Sequence, residues 1–124
     1  MLRLLIVDDE ESISFAMARY FRSRNFEVDA ARELEEAQAL IANYRYDAVI
    51  ADLRLTGVHG AEGLDIVSLV RERCPWTRTI LLTAYMSEDL DAEAKARGVD
   101  LVIRKPQSLP DLAQTVLNLL GAPQ

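Results

Sequence analysis

This sequence of 124 residues is poor in residue types and patterns on which several classes of protein depend. It contains one cysteine, Cys74, which excludes an internal disulfide and a cysteine-based zinc site and is compatible with a reducing compartment. No apolar run approaches the roughly 18 residues that a membrane-spanning helix needs, and the first residues lead into a strand pattern rather than a signal peptide. We therefore expect a cytoplasmic protein.

Positive charge is also in deficit, with 14 Lys and Arg against 20 Asp and Glu and a formal net charge of -6. A surface of this sign repels nucleic acid and anionic lipid, so we expect protein partners, with no direct nucleic-acid contact and no membrane contact. The length is near the commonest domain size, and half of the residues are hydrophobic. Residues 1–124 are therefore expected to form a single domain.

Short apolar runs alternate with amphipathic segments about five times, which is typical of a parallel sheet with helices on both faces. The predicted strands are 4–7, 26–30, 46–51, 79–83 and 99–103. The predicted helices are about 12–24, 33–43, 61–73, 88–97 and 109–120, with Ser87 and Ser108 as N-caps of the last two. The spacing of the first helix predicts one buried stripe, made of Ile13, Ala16, Met17, Tyr20 and Phe21.

Acidic and polar residues stand where four of the apolar runs end. They are Asp8 and Asp9 after the first run, Asp52 after the third, Thr83 at the end of the fourth and Lys105 shortly after the fifth. In an open parallel sheet the ligand site lies outside the carboxyl ends of the strands, so these side chains are expected in one crevice. Carboxylate oxygens bind Mg²⁺, while Lys and Thr can hold phosphoryl oxygens. The set predicts a Mg²⁺ site beside a phosphoryl group.

Four segments together resemble the receiver domain of the response regulators of two-component signalling. They are Ile6-Val7-Asp8-Asp9-Glu10, Asp52-Leu53-Arg54-Leu55, Leu82-Thr83-Ala84 and Lys105-Pro106. Each is a weak signal alone, but all four occur in the family's order and spacing. The resemblance covers essentially the whole chain and implies a flavodoxin-like α/β fold, a doubly wound five-stranded parallel sheet with strand order 2-1-3-4-5 and five helices.

The resemblance also implies a role for each matching residue. Asp52 is the expected phosphoacceptor, Thr83 is expected to bind a phosphoryl oxygen, and Lys105 is expected to pair with the acyl phosphate. The expected ligands of Mg²⁺ are the carboxylates of Asp8, Asp9 and Asp52 and the backbone carbonyl of Arg54. The peptide bond before Pro106 is expected to be cis.

The function that the resemblance implies is a phosphorylation switch. A sensor histidine kinase or a phosphotransfer protein gives its phosphoryl group to Asp52, and the changed surface controls a downstream effector protein or an attached effector domain. A domain of this kind catalyses only its own Mg²⁺-dependent phosphorylation and dephosphorylation, and a phosphorylation-dependent dimer is compatible with it. The sequence is expected to be either a stand-alone receiver or part of a longer regulator.

Two features depart from the usual family pattern. Thr56 replaces the common proline four residues after Asp52, in a loop that also contains Gly57, Gly60 and Gly63. Val102 stands where the family commonly has the Tyr or Phe that moves with the switch threonine. The expected output mechanism therefore lacks its aromatic side chain at that position.

Two other functions compete with the switch. One is a pseudo-receiver, a protein-binding module that works without phosphorylation, and the complete set of acidic residues, threonine and lysine argues against it. The other is a Mg²⁺-dependent hydrolase of the haloacid dehalogenase type, which places a second Asp two residues after its nucleophile on the first strand. This sequence has Glu11 two residues after Asp9, which argues against such a hydrolase.

Overall fold

The computed structural model describes residues 1–53, 62–84, 86–105 and 107–121, and five strands alternate with five helices within them. The strands are β1 (Leu2–Val7), β2 (Phe26–Ala31), β3 (Ala48–Asp52), β4 (Arg78–Thr83) and β5 (Leu101–Arg104). The helices are α1 (Glu11–Ser23), α2 (Leu34–Asn43), α3 (Glu62–Arg73), α4 (Glu88–Ala96) and α5 (Leu109–Leu120). The predicted order of elements is confirmed, and the predicted boundaries differ from these by no more than about two residues.

The strands form one parallel sheet in the order β2-β1-β3-β4-β5, which confirms the predicted flavodoxin-like topology. In the register of the central strands, Val7 pairs with Ala51 and Ala51 with Leu81. The residues that follow these positions therefore emerge together at one edge of the sheet. All strands point the same way, so their carboxyl ends share that edge.

The sheet divides the core into two layers, because successive strand side chains point to opposite faces. Leu4 and Ile6 of β1 pack in the layer under α1 and α5, whereas Leu5 and Val7 pack in the layer under α2, α3 and α4. All four are almost completely buried. This burial on both faces explains why the central strands are continuous apolar runs in the sequence.

The buried stripe of α1 differs from the predicted one. Ile13 is 37% exposed and Ala16 is also exposed. The side chains that are buried are Ser14, Met17, Ala18 and Phe21, which follow the i, i+3, i+4, i+7 spacing of a helix face. A serine inside this stripe conceals it from a pattern based on hydrophobicity, so the prediction for Ile13 and Ala16 was wrong.

The predicted helix caps are confirmed. The Ser87 hydroxyl accepts a hydrogen bond from the backbone N–H of Leu90 at 3.0 Å, and Ser108 accepts one from Asp111 at 3.2 Å. After α4, Gly98 has a φ of 95°, the left-handed conformation that ends a helix with least cost at glycine. Among the described residues, none of the helices has the length and hydropathy needed to cross a membrane.

Candidate functional site

The acidic residues of the predicted site meet at the carboxyl edge of the sheet. Asp8 and Asp9 follow β1 directly, and Asp52 is the last residue of the neighbouring strand β3. One carboxylate oxygen from each of the three lies within 4.8 Å of the others. This spacing is compatible with one small cation bound by all three, since oxygen ligands on a single Mg²⁺ lie a few ångströms apart.

Asp8 is the most deeply buried member of this acidic cluster, with 2% of its surface exposed. Its Oδ1 accepts a hydrogen bond from the backbone N–H of Glu10 at 2.9 Å. Burial is the main reason why the pKa of Asp8 is raised above 3.8; the negative charge of Asp52 raises it further, and the Glu10 hydrogen bond opposes the change. A charged Asp8 is therefore costly unless a cation is near.

Lys105 reaches the acidic cluster from the segment that follows β5, the strand at the edge of the sheet. Its Nζ donates a hydrogen bond to Oδ2 of Asp52 at 2.7 Å, and only 12% of the Asp52 side chain is exposed. The backbone N–H of Lys105 also donates to the carbonyl of Thr83 at 2.7 Å. The short segment after β5 is thus attached to the end of β4, which fixes where the Lys105 side chain begins.

Thr83 is the last residue of β4 and is 2% exposed. Asp52 pairs with Leu82 in the sheet, so Thr83 lies one residue beyond the partner of the expected phosphoacceptor. The backbone N–H of Leu53 donates to the carbonyl of Leu82 at 2.9 Å and continues the β3–β4 pairing past Asp52. These bonds hold the backbones of Asp52 and Thr83 in a fixed relation.

Gly63 is a part of the site that the sequence analysis did not assign. A Cβ atom at this position would lie 2.6 Å from the carbonyl oxygen of Asp52 and 2.8 Å from Cα of Leu53, closer than real contacts allow. The Gly63 N–H donates to the carbonyl of Leu53 at 3.2 Å. The first turn of α3 therefore rests directly on the backbone of the expected phosphoacceptor, and a side chain would separate them. A glycine in the first turn of the following helix was the available signal.

Several predicted features lie outside the described residues. These are the carbonyl ligand of Arg54, the loop with Thr56, Gly57 and Gly60, and the cis bond before Pro106. Val102 is described: it is half-buried and packs in the same layer as Leu90 and Ala94 of α4. A small aliphatic side chain therefore stands in this layer where the family commonly has an aromatic one.

The donor set fits a hard divalent cation. Three carboxylates and one ammonium leave an excess of negative charge, and every donor of the acidic cluster is an oxygen, the ligand type that Mg²⁺ prefers. One of the carboxylates, Asp8, is buried with a raised pKa, so a cation would stabilise its ionised form. The Lys105 ammonium lies on the same carboxylate that is the expected phosphoacceptor.

Comparison with known proteins gives a family for this arrangement. The sequence model of the response regulator receiver domain matches residues 4–117. A response regulator receiver protein of Anaeromyxobacter is 33% identical over 110 residues, which cover 89% of this chain and 45% of that protein. The response regulator PilR of Pseudomonas aeruginosa is 31% identical over 118 residues, which cover 95% of this chain and 26% of PilR. The chain thus spans less than half the length of either relative.

Solved structures show the same likeness. A CheY-like receiver domain protein from Methanospirillum hungatei superposes with a TM-score of 0.90 at 25% identity, covering 98% of this chain and 94% of the other. The beryllofluoride-activated receiver domain dimer of NtrC4 superposes with a TM-score of 0.86 at 25% identity, covering 98% of each chain. The likeness therefore includes the whole sheet and the helices around it.

Proposed function

Because this chain belongs to the response regulator receiver family, we propose that it is a Mg²⁺-dependent phosphorylation switch whose phosphoacceptor is Asp52. The observation that carries the proposal is the meeting of three carboxylate oxygens within 4.8 Å beside a lysine that contacts one of them at 2.7 Å. Membership of the response regulator receiver family supports a role in two-component signalling. The fold also supports a site at this edge of the sheet, because ligands of open parallel sheets bind at the carboxyl ends of the strands.

The acidic cluster supplies the metal ligands in this proposal. Asp8, Asp9 and Asp52 would hold Mg²⁺, with the carbonyl of Arg54 as a further ligand, and the bound cation would neutralise charge that gathers on the phosphoryl oxygens during transfer. Burial of Asp8 keeps its oxygen at a fixed position beside β1. The Glu10 N–H bond orients the same carboxylate.

The transfer itself exchanges one bond to phosphorus for another. A carboxylate oxygen of Asp52 attacks the phosphorus of a phosphohistidine, the phosphorus–nitrogen bond breaks, and the bonding electron pair stays on the imidazole, which takes up a proton. Lys105 then pairs with a phosphoryl oxygen in place of its present contact with Asp52. The Thr83 hydroxyl is the proposed second contact, and its movement would alter the surface around β4, α4 and β5.

The partners follow from this chemistry. The donor is a sensor histidine kinase or a phosphotransfer protein, and the reader of the altered surface is an effector protein or an attached effector domain. We further propose that residues 1–124 form a single receiver domain that works in the cytoplasm. The NtrC4 receiver domain is a dimer in its beryllofluoride-activated structure, which supports dimer formation on activation as one output for this chain.

Intact-mass measurement after incubation with acetyl phosphate tests the proposal. Wild-type protein is expected to gain one phosphoryl group in the presence of Mg²⁺ and none in excess chelator, because the acidic cluster repels the phosphoryl oxygens without the cation. Asp52→Asn is expected to gain none. Asp47→Asn, which changes an aspartate at the opposite end of the sheet, is the matched control and should load as wild type does. Equal loading of the Asp52→Asn variant would disprove the proposal.

A further inference from the structure

Helix α4 is weakly anchored by apolar packing. Ala94 is its buried side chain among the described residues, and Leu90 is partly buried beside it. Helices α1 and α5 each bury four side chains. A helix that buries so little apolar surface separates from the sheet at lower cost than its neighbours, so other contacts contribute a larger share of what holds it in place.

Within the part of the chain that the structure describes, the polar contacts that join α4 to another helix are made by Arg97, the C-cap residue that follows α4. Its Nη1 donates to Oδ1 of Asp65 on α3 at 2.9 Å and lies 3.5 Å from Oγ of Ser68 on the same helix. Its Nε donates to Oε1 of Glu93 within α4 at 3.0 Å. One guanidinium therefore joins the end of α4 to the outer face of α3, and these hydrogen bonds raise the pKa of Arg97. We call the contacts of Arg97 with Asp65 and Ser68 the Arg97 latch.

A second contact from α3 reaches the same end of α4. A Cβ atom at Gly98 would lie 2.9 Å from Cδ and 3.0 Å from Cγ of Arg71, so the aliphatic part of Arg71 covers this glycine. Asp65, Ser68 and Arg71 are three residues apart and thus share one face of α3. This face of α3 therefore contacts Arg97 and Gly98, the two residues that follow α4.

At its N-terminal end, helix α3 contacts the expected phosphoacceptor, Asp52. Gly63, two residues before Asp65, packs so closely on the carbonyl oxygen of Asp52 that a Cβ atom would be 2.6 Å away. Helix α3 is therefore seated on Asp52 at its first turn and joined to α4 along the same helix. Val102 of β5, which packs against the core layer that contains Ala94 of α4, lacks the aromatic ring that the family commonly has at this position.

We propose that the Arg97 latch opposes the displacement of α4 and thereby sets how readily the loaded state of Asp52 forms. The inference rests on the proposed phosphorylation switch. In the arrangement seen, Lys105 contacts Asp52 directly and the latch is closed. If a phosphoryl group on Asp52 moves α4, the latch must open, and by linkage an opened latch favours loading. Asp65 and Arg97 are then positioning residues for the switch rather than members of its reactive site.

Beryllofluoride binding in the presence of Mg²⁺, followed by fluorine NMR, measures this coupling. Asp65→Asn removes the charge on α3 that holds Arg97, and we expect it to bind beryllofluoride about two- to fivefold more tightly than wild type, the range for an exposed ion pair. Glu93→Gln is the matched control, because it removes a charge at 3.0 Å from the same guanidinium, against 2.9 Å for Asp65, without disconnecting the two helices. The control is expected to bind as wild type does.

Hydrogen exchange of the Glu88–Ala96 amides without beryllofluoride tests the latch independently of loading. Asp65→Asn should exchange faster than Glu93→Gln in this segment. Faster exchange together with tighter binding supports the latch, whereas faster exchange with unchanged or weaker binding shows a structural contact and overturns the inference. Equal exchange in both variants overturns it as well. Absence of beryllofluoride binding by the wild type would instead overturn the proposed switch.

Discussion

The two ends of the sheet use carboxylates in different ways. At the amino end the carboxylates accept from donors of the chain itself: Asp47 accepts from the backbone N–H of Arg3 at 2.8 Å, and Asp29 accepts from the Tyr46 hydroxyl at 2.6 Å. The Arg3 guanidinium adds ion pairs to Asp29 at 3.4 Å and Glu27 at 3.3 Å. At the carboxyl end three carboxylates converge within 4.8 Å, and one ammonium contacts one of them.

The amino-end carboxylates have a cation of the chain itself beside them, Arg3, although the Arg3 Nε is buried and makes no hydrogen bond within the described residues. Arg3 also lies over the rings of Tyr44 and Tyr46, at 5.0 and 5.5 Å from their centroids, and so connects β1, β2 and the segment before β3. Burial and the bond to Asp29 raise the pKa of Tyr46, so its hydroxyl stays protonated and continues to donate. The comparison teaches that convergence, and not acidity alone, distinguishes a site for a cation from a structural network.

The largest effect is expected from breaking the amino-end network. Arg3→Met removes two ion pairs and two cation–π contacts and should lower the free energy of unfolding by about 2 kcal/mol. Urea unfolding with and without Mg²⁺ measures it. The stabilisation of Arg3→Met by Mg²⁺ should be the same as that of wild type. The control is Arg19→Met, which replaces an exposed arginine on α1 and should change neither the free energy of unfolding nor the stabilisation by Mg²⁺. A changed Mg²⁺ response in Arg3→Met would show that the two ends are not independent.

The next largest effect is the stabilisation of the folded protein by Mg²⁺ bound to the acidic cluster. Mg²⁺ at about ten times its Kd should stabilise the wild type by about 1.4 kcal/mol, and Asp9→Asn should lose most of this gain. In metal-free buffer the Asp9→Asn variant should be more stable than wild type, because one of three converging charges is gone. Thermal unfolding measures both, with the exposed Glu35→Gln on α2 as the control. Lower metal-free stability with an intact Mg²⁺ response would contradict the assignment of the cluster.

A smaller effect depends on pH. Because burial raises the pKa of Asp8 in the folded protein, its charged form destabilises the fold at neutral pH, and protonation relieves this cost as the pH falls through the raised pKa towards 3.8. Asp8→Asn keeps an acceptor for the Glu10 N–H and should add about 1 kcal/mol of stability at neutral pH in metal-free buffer. The advantage should shrink as the pH is lowered. An advantage that grows on acidification would contradict the raised pKa.

The fold could be predicted from the sequence because the central strands are buried on both faces and therefore read as unbroken apolar runs. The boundaries were harder, and β5 shows why. Residues 99 and 100 were predicted as strand, but β5 begins at Leu101. The carboxylate of Asp100 accepts from the backbone N–H of Thr79 at 2.8 Å, a side-chain bond to the neighbouring strand that hydrophobicity does not reveal.

The residues that meet at the site could be predicted because they follow successive strands of one parallel sheet. The contacts of Gly63 and Arg97 could not be predicted, since both depend on how α3 packs on Asp52 and against α4, which periodicity does not specify. The same reason explains the wrong stripe on α1, where Ser14 is buried and Ile13 is not. Sequence patterns predicted the order of the helices and strands, whereas the face that each helix turns toward the core depended on how individual side chains pack.

The most direct test of the central claim is to map the phosphoryl group after loading with acetyl phosphate and Mg²⁺. Borohydride reduction converts a phosphorylated aspartate to homoserine, and peptide mass spectrometry then identifies the position. The account predicts homoserine at position 52 and none at positions 8 and 9, because Lys105 contacts Asp52 and the other two carboxylates serve the cation. Homoserine at position 8 or 9, or an unmodified Asp52 in fully loaded protein, would contradict it.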